Sequence, residues 1–192
     1  MSPRVVLFTR YPEPGKAKTR LIPALGKDGA ARLHRTLTEQ TAAAVQAAGL
    51  ALEVRTTGAP VASFTDWLGP LAIVDQGEGD LGKKLARAGP PWPTIFIGAD
   101  APDLTPELLR NAADALDHAP AVVGPAEDGG YWLLGLREAV AGVFEGIDWS
   151  TDRVFAQTMT RLDDAGIAPI VLPELADCDR PEDLARWPGL GA

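Results

Sequence analysis

The sequence predicts an α/β protein, a three-layer α/β/α sandwich around a mostly parallel sheet. Three observations predict it. Short unbroken apolar runs alternate with stretches in which apolar residues recur at three- and four-residue steps, the mark of strands buried on both faces and of the helices that cover them. Glycine (20) and proline (17) punctuate the chain at short intervals instead of collecting in one linker, which suits many short elements. A length of 192 residues, 46% hydrophobic and 23% charged, fits one domain over residues 1–192 with a core of its own.

Val5–Thr9 is the first strand, and a loop dense in Pro, Gly and base runs from Arg10 to Pro23. From about Asp28 to Ala48, Ala30, Leu33, Leu37, Thr41, Ala44 and Ala48 share one helical face, and Gly49 stops the helix. Leu50–Thr57 reads as a strand, Ser63–Leu68 as a helical turn and Leu71–Val74 as a strand. Gly79–Arg87 can form a helix, followed by the strand Thr94–Ile97. The next helix is marked by Thr105 as N-cap, Pro106 in the first position and Glu107 in the first turn. Ala121–Gly124 and Tyr131–Leu136 are strands joined by the polar turn Glu127-Asp128-Gly129-Gly130, a link short enough for an antiparallel pair. Ser150 or Thr151 caps a helix to about Ala165, Ile167–Leu172 is a late strand, and Pro181–Trp187 a short closing helix.

Lys plus Arg, 18, against Asp plus Glu, 26, leaves a net charge of −8. That excludes a surface built to neutralise nucleic-acid phosphates or anionic lipid, so any phosphate must be met by a local basic patch. One cysteine, Cys178, excludes an internal disulfide and a four-cysteine zinc site, and His34 and His118 lie outside the candidate loops. The apolar start is too short for a signal peptide and no stretch is long enough for a membrane span, so a soluble, cytoplasmic protein is expected.

In open parallel sheets ligands sit beyond the carboxyl ends of the strands, so the residues just after each apolar run carry the information. The first such loop holds Arg10, Gly15, Lys16, Lys18 and Arg20, a phosphate cradle in an acidic protein. It is not a Walker A loop, because Ala17 follows Lys16 where Ser or Thr would bind magnesium. Gly98-Ala-Asp100-Ala-Pro-Asp103 follows the fourth strand, and Asp100 there suits a hard divalent ion; Asp103 has a competing reading beside the Thr105 cap. Asp128 with Gly129 and Gly130 permits close approach of the backbone to a flat or bulky ligand, or is simply a tight hairpin turn. Asp179 reads as a second metal ligand or as the N-cap of the helix opened by Pro181. Gly79, Gly82 and Lys83 form a glycine-rich helix start able to face a base, ribose or phosphate. No Ser, His and Asp set stands at nucleophile spacing, which sets hydrolytic triads aside.

In this order, Pro14-Gly-Lys-Ala-Lys-Thr-Arg20-Leu, Gly79-Asp-Leu-Gly, Gly98-x-Asp100-x-Pro-x-Leu, Gly124-Pro-x-x-Asp128-Gly-Gly-Tyr and Asp177-x-Asp179-x-Pro-Glu-Asp-Leu resemble a known family. It is that of the small bacterial DUF2064, or family 2 glycosyltransferase-like, proteins, relatives of the phospholactate nucleotidyltransferases. The resemblance implies the nucleotide-diphospho-sugar transferase (GT-A, Rossmann-like) fold, a nucleotide in the cleft, and Mg²⁺ or Mn²⁺ on Asp100, joined by Asp179. It also carries triphosphate neutralisation onto Lys16, Lys18 and Arg20. A glycosyltransferase would show Asp-x-Asp here, whereas Asp100-Ala-Pro-Asp103 is one residue longer, a departure that favours nucleotidyl transfer. The expected activity is transfer from a nucleoside triphosphate to a small phosphorylated or hydroxyl acceptor, with Lys16, Asp100 and Asp128 as the catalytic set. Glycosyl transfer from a nucleotide-sugar and a non-catalytic nucleotide-binding module are the alternatives, and oligomeric state stays open.

Overall fold

A computed structural model describes residues 2–190. Seven strands form one sheet: β1 (Arg4–Arg10), β2 (Ala51–Thr57), β3 (Ala72–Asp75), β4 (Thr94–Ile97), β5 (Ala121–Pro125), β6 (Tyr131–Leu136) and β7 (Ile170–Val171). The helices are α1 (Ile22–Ala47), α2 (Val61–Leu68), α3 (Leu81–Ala88), α4 (Pro106–His118) and α5 (Val154–Asp164). Strand order is β3-β2-β1-β4-β6-β5-β7, with every pair parallel except those made by β6, which runs against both β4 and β5. The five residues between β5 and β6 cannot carry a crossover, so the chain must turn straight back, as the Asp-Gly-Gly turn predicts.

Alternation along the strands sorts the core into two layers. Val5, Leu7, Val54, Ile95 and Ile97 face Ala42 and Val45 of α1 and Leu109, Ala112 and Leu116 of α4. Val6, Phe96, Leu134 and Leu136 face Leu85 of α3 and Leu162 of α5. A third cluster joins Leu21, Leu33 and Leu37 to Cys178, with Leu184, Trp187 and Leu190 packed against it, so the late part of the chain is laid on α1. None of the helices of the described residues is long and apolar enough to cross a membrane.

Three sequence expectations are corrected. α1 starts earlier than Asp28, but Gly26 (φ 68°, ψ 173°) breaks it and leaves the continuous helix close to the expected start. Neither Ser150 nor Thr151 caps α5: Arg153 holds the cap position without a side-chain bond, and the Thr151 hydroxyl closes a local turn by donating to Asp148 O at 2.7 Å. β7 is two residues and not six, because Pro169 and Pro173 lack the N–H that would extend its ladder. Thr105 does cap α4, accepting from Leu108 N at 3.2 Å, with Pro106 in the first turn.

Candidate functional site

The first three strands step outward from β1 to β3, and β4 returns to the other side of β1. Such a reversal leaves a crevice beyond the carboxyl ends of the two central strands. A cleft of about 230 Å³ lies there, bordered by Thr9 and Arg10 of β1, Thr57 of β2, Gln76 after β3 and Asp100 after β4. A larger hollow of about 790 Å³ lies between the loop after β6 and the end of α5. That is the amino edge of the parallel strands, and its Arg161 already donates to Glu145 O.

The loop after β1 is folded on itself. Arg10 donates to Lys16 O at 2.8 Å, and Lys16 N and Ala17 N both donate to Glu13 O. Gly15 stands in the left-handed region, with φ 82°. The Lys16 side chain is exposed and pairs with Glu13 at 2.9 Å, and Arg20 is exposed too. Lys18 does the opposite. Its backbone takes the left-handed conformation (φ 45°, ψ 47°) and sends the side chain inward, where it is 5% exposed.

The Lys18 ammonium donates to Asp100 Oδ1 at 2.5 Å, Asp179 Oδ1 at 2.6 Å and Cys178 O at 2.8 Å. Burial alone would lower its pKa, but the two carboxylates outweigh burial and hold the lysine above its ordinary value. Burial would likewise raise Asp100, and the ammonium overrides it and holds that carboxyl low. Asp177 has no such partner: its Oδ2 is buried without a hydrogen bond. Burial first, then the facing Asp128, Asp100 and Asp179, push it up to about 8. Two acids thus hold one base, with Asp177 beside them.

The structure separates the remaining candidates. Asp179 is not an N-cap: Arg180 holds that place before the 3₁₀ turn Pro181–Arg186, and the Asp183 carboxylate accepts from Asp179 N and Arg180 N instead. Asp103 neither caps nor faces the cluster but accepts from Trp187 Nε1 at 3.0 Å. Asp128 is exposed, and its Oδ1 accepts from Gly130 N at 2.8 Å. Gly129 (φ 85°) lies against α5's leading turn, where a Cβ would come within 2.2 Å of Asp152 O, so packing alone explains this glycine. Gly82 is similarly pressed under Phe144 O and Trp149. Gly79 is exposed, and the α3 start beside it is already capped, since Asp80 Oδ1 accepts from Lys83 N at 2.8 Å. Replacing Asp80 by Ala is expected to cost about 1 kcal/mol. A melting-temperature drop of about 2–4 °C in calorimetry would show it, and an unchanged melt would make the cap unimportant.

Three site residues escape sequence reasoning. Gln76 sits just after β3 and was findable by the same rule as Asp100; its Nε2 donates to Thr9 O and Arg55 O, both at 3.1 Å, which fixes the amide. Among the described residues none donates to Oε1, leaving a fixed acceptor in the cleft wall. His34 comes from the buried face of α1, where an apolar pattern hides it. Burial holds its pKa low, and the neutral ring donates from Nε2 to Arg10 O at 3.0 Å. Asp177 was visible only as part of an acidic turn.

The C-terminal segment closes one side of this site. Cys178 N donates to Asp100 O at 2.8 Å, Arg186 pairs with Glu127 at 2.7 Å, and Trp187 reaches Asp103, so residues 177–187 tie the loop after β4 to the β5–β6 turn.

This sheet, with its single reversed strand and an acidic cluster at the switch point, has relatives. A protein from Desulfovibrio desulfuricans G20, provisionally assigned as a nucleotide-diphospho-sugar transferase, is 32% identical. The likeness covers 94% of this chain and 84% of that one, at a TM-score of 0.88. CMP:2-keto-3-deoxy-manno-octonic acid synthetase, solved with CTP, is 16% identical over 97% and 96% of the two chains, at 0.58. Glucosyl-3-phosphoglycerate synthase from Mycobacterium tuberculosis, solved with Mn²⁺, UDP and glucosyl-3-phosphoglycerate, is 13% identical over 99% and 76%, at 0.57. The last two are likenesses of fold alone. No curated protein matches the chain. The fold is of the class shared by nucleotidyltransferases and glycosyltransferases, a Rossmann-like three-layer sandwich. Within that class the chain belongs to the DUF2064 family, described as "Uncharacterized protein conserved in bacteria", which it matches over residues 36–151.

Proposed function

We propose that the protein transfers a nucleotidyl group from a nucleoside triphosphate to a small phosphorylated or hydroxyl acceptor, releasing pyrophosphate. One observation carries the reading: a buried lysine and two aspartates meet beside a cleft at the switch point of the sheet. The acceptor oxygen, which if a hydroxyl gives up its proton to water, bonds to the α-phosphorus, the bond from that phosphorus to the bridging oxygen breaks, and pyrophosphate takes the electron pair. No protein nucleophile is needed. The chain's part is to position the donor and to offset charge.

The donor set suits a hard cation. No three His, Cys, Asp or Glu of the described residues converge as a finished metal cage. Mg²⁺, however, needs only one or two carboxylates when phosphates and waters supply the rest. An acidic cluster in which Asp177 lies buried without a partner is short of positive charge. Asp100 and Asp179 would therefore hold Mg²⁺ or Mn²⁺, which when bound supplies Lewis acidity and neutralisation at phosphate oxygens. The Mn²⁺ in the glucosyl-3-phosphoglycerate synthase structure supports the same choice.

The chain's own groups do the remaining work. Lys16, Arg20 and Arg10 lie on the loop that would face the outer phosphates, and Gln76 Oε1 stands to accept from a base N–H. His34 pins the Arg10 carbonyl and so steadies the start of that loop. Asp103 is bonded to Trp187 and so is not available to pair with Asp100 in the manner of an Asp-x-Asp motif, which supports nucleotidyl over glycosyl transfer. The relative at 32% identity keeps glycosyl transfer from a nucleotide-sugar as the second reading. Pyrophosphate release from a triphosphate, assayed in cytoplasm-like buffer with Mg²⁺, would support the first; nucleoside diphosphate from a nucleotide-sugar would support the second.

The exposed Lys16 gives a further check. Lys16→Ala is expected to weaken triphosphate binding about tenfold, about 1.4 kcal/mol, and to leave monophosphate binding nearly unchanged. Equal losses for both ligands in titration calorimetry would place the lysine on the α-phosphate instead.

A further inference from the structure

We propose that Lys18 is a resident cation standing in the divalent ion's place, so that lysine and metal exchange on Asp100 and Asp179 when a nucleotide arrives. The inference rests on the nucleotide-transfer reading above. An ammonium has three protons, and all three are used, on Asp100 Oδ1, Asp179 Oδ1 and Cys178 O. Only 5% of the side chain is exposed. The lysine is also built in from both sides. Ala17 before it is buried, the 3₁₀ turn Thr19–Leu21 after it begins with Leu21 N donating to Lys18 O, and its left-handed backbone turns it away from Lys16 and Arg20.

An ion bonded to the same oxygens would sit about 2.1 Å from each, well within repulsive reach of an ammonium 2.5–2.6 Å from them. Both cannot stay. A polyphosphate removes the conflict, because it gives the ammonium new acceptors at the moment its old ones take the metal. Metal and nucleotide then raise each other's affinity, as linkage requires.

The probe is Mn²⁺ alone, with free ion followed by electron paramagnetic resonance in wild type, in Lys18→Met, and in Lys18→Met combined with Asp100→Asn. Lys18→Met is expected to bind Mn²⁺ at least about tenfold more tightly than wild type, and the added Asp100→Asn to remove the gain. Equal affinity in wild type and Lys18→Met would overturn the exchange, since the metal would then be using oxygens the lysine does not hold. A second measurement keeps the test open should the variant fold poorly. In wild type, acetylation of Lys18 by an amine-reactive ester, read by mass spectrometry, is expected to quicken severalfold when millimolar Mn²⁺ and a nucleoside triphosphate are added together; unchanged protection with both present overturns the proposal. Displacement of Lys18 in a protein that turns over no triphosphate would leave the exchange standing and sink the nucleotidyl reading. Metal-dependent turnover with Lys18 still protected would do the reverse.

Discussion

Asp100→Asn is expected to abolish divalent-dependent triphosphate binding, a loss of at least about 100-fold, or about 2.7 kcal/mol. Asp100 is the one carboxylate that both touches the buried ammonium and lines the cleft. Its side chain is 47% exposed, open on the side from which a nucleotide would come. The amide keeps the shape and removes the charge, so a hard cation loses its anionic ligand and Lys18 keeps Asp179. The fold should persist, because the backbone bond from Cys178 N to Asp100 O needs no side chain. Calorimetric titration of a nucleoside triphosphate with Mn²⁺ and with chelator measures the difference. Equal affinity under both conditions in folded wild-type protein would remove the metal from the reading altogether.

Asp177→Asn is expected to do the opposite to stability, raising it by an amount that grows as pH climbs above about 4 and is largest near pH 8. Burial and three facing carboxylates push Asp177 up to about 8, far above an unfolded aspartate. Between about pH 4 and 8 the folded chain therefore binds a proton that the unfolded chain has released. Stability is fully present below that window and falls as pH rises through it. Asn mimics the protonated acid and carries no such dependence. The full linkage would exceed about 5 kcal/mol, and water reaching the open side of the cluster reduces it to about 2–3 kcal/mol at pH 8.5. The variant's melting temperature should exceed that of wild type by about 4–10 °C there and match it near pH 4. Parallel curves at both pH values would show that Asp177 is already ionised and satisfied.

Local chemistry was legible where the cause is local. Thr105 and Pro106 announce α4, and the Asp128-Gly129-Gly130 turn announces the reversal into β6, because each acts within a few residues. Asp100 was reachable because strand ends point at the crevice. What distinguishes Lys18 from Lys16 was not legible: both are lysines in one loop, and only a left-handed backbone at Lys18 turns one inward. The pairing of Asp179 with Lys18 was hidden for another reason, although the residue itself was named as a candidate metal ligand or cap. Next to Pro181 it looks like a cap, and its actual partner lies 161 residues earlier in the chain. His34 belongs to a buried helical face made of apolar residues together with Thr38 and Thr41, so nothing in the spacing marks it as lining a cleft.

The segment of residues 177–187 also has a consequence in time. Lys18 leaves the ribosome about 160 residues before Cys178 and Asp179, an interval of about 10–30 s at ordinary elongation rates. Through that interval a nascent chain can form β1, α1 and the central strands, but its lysine has no second carboxylate and its crevice lacks a wall. The lysine–carboxylate cluster is thus completed only after all seven strands of the sheet have been made. By the same logic, a single cut between β7 and Asp177 would let go of it first, while most of the sheet stayed folded.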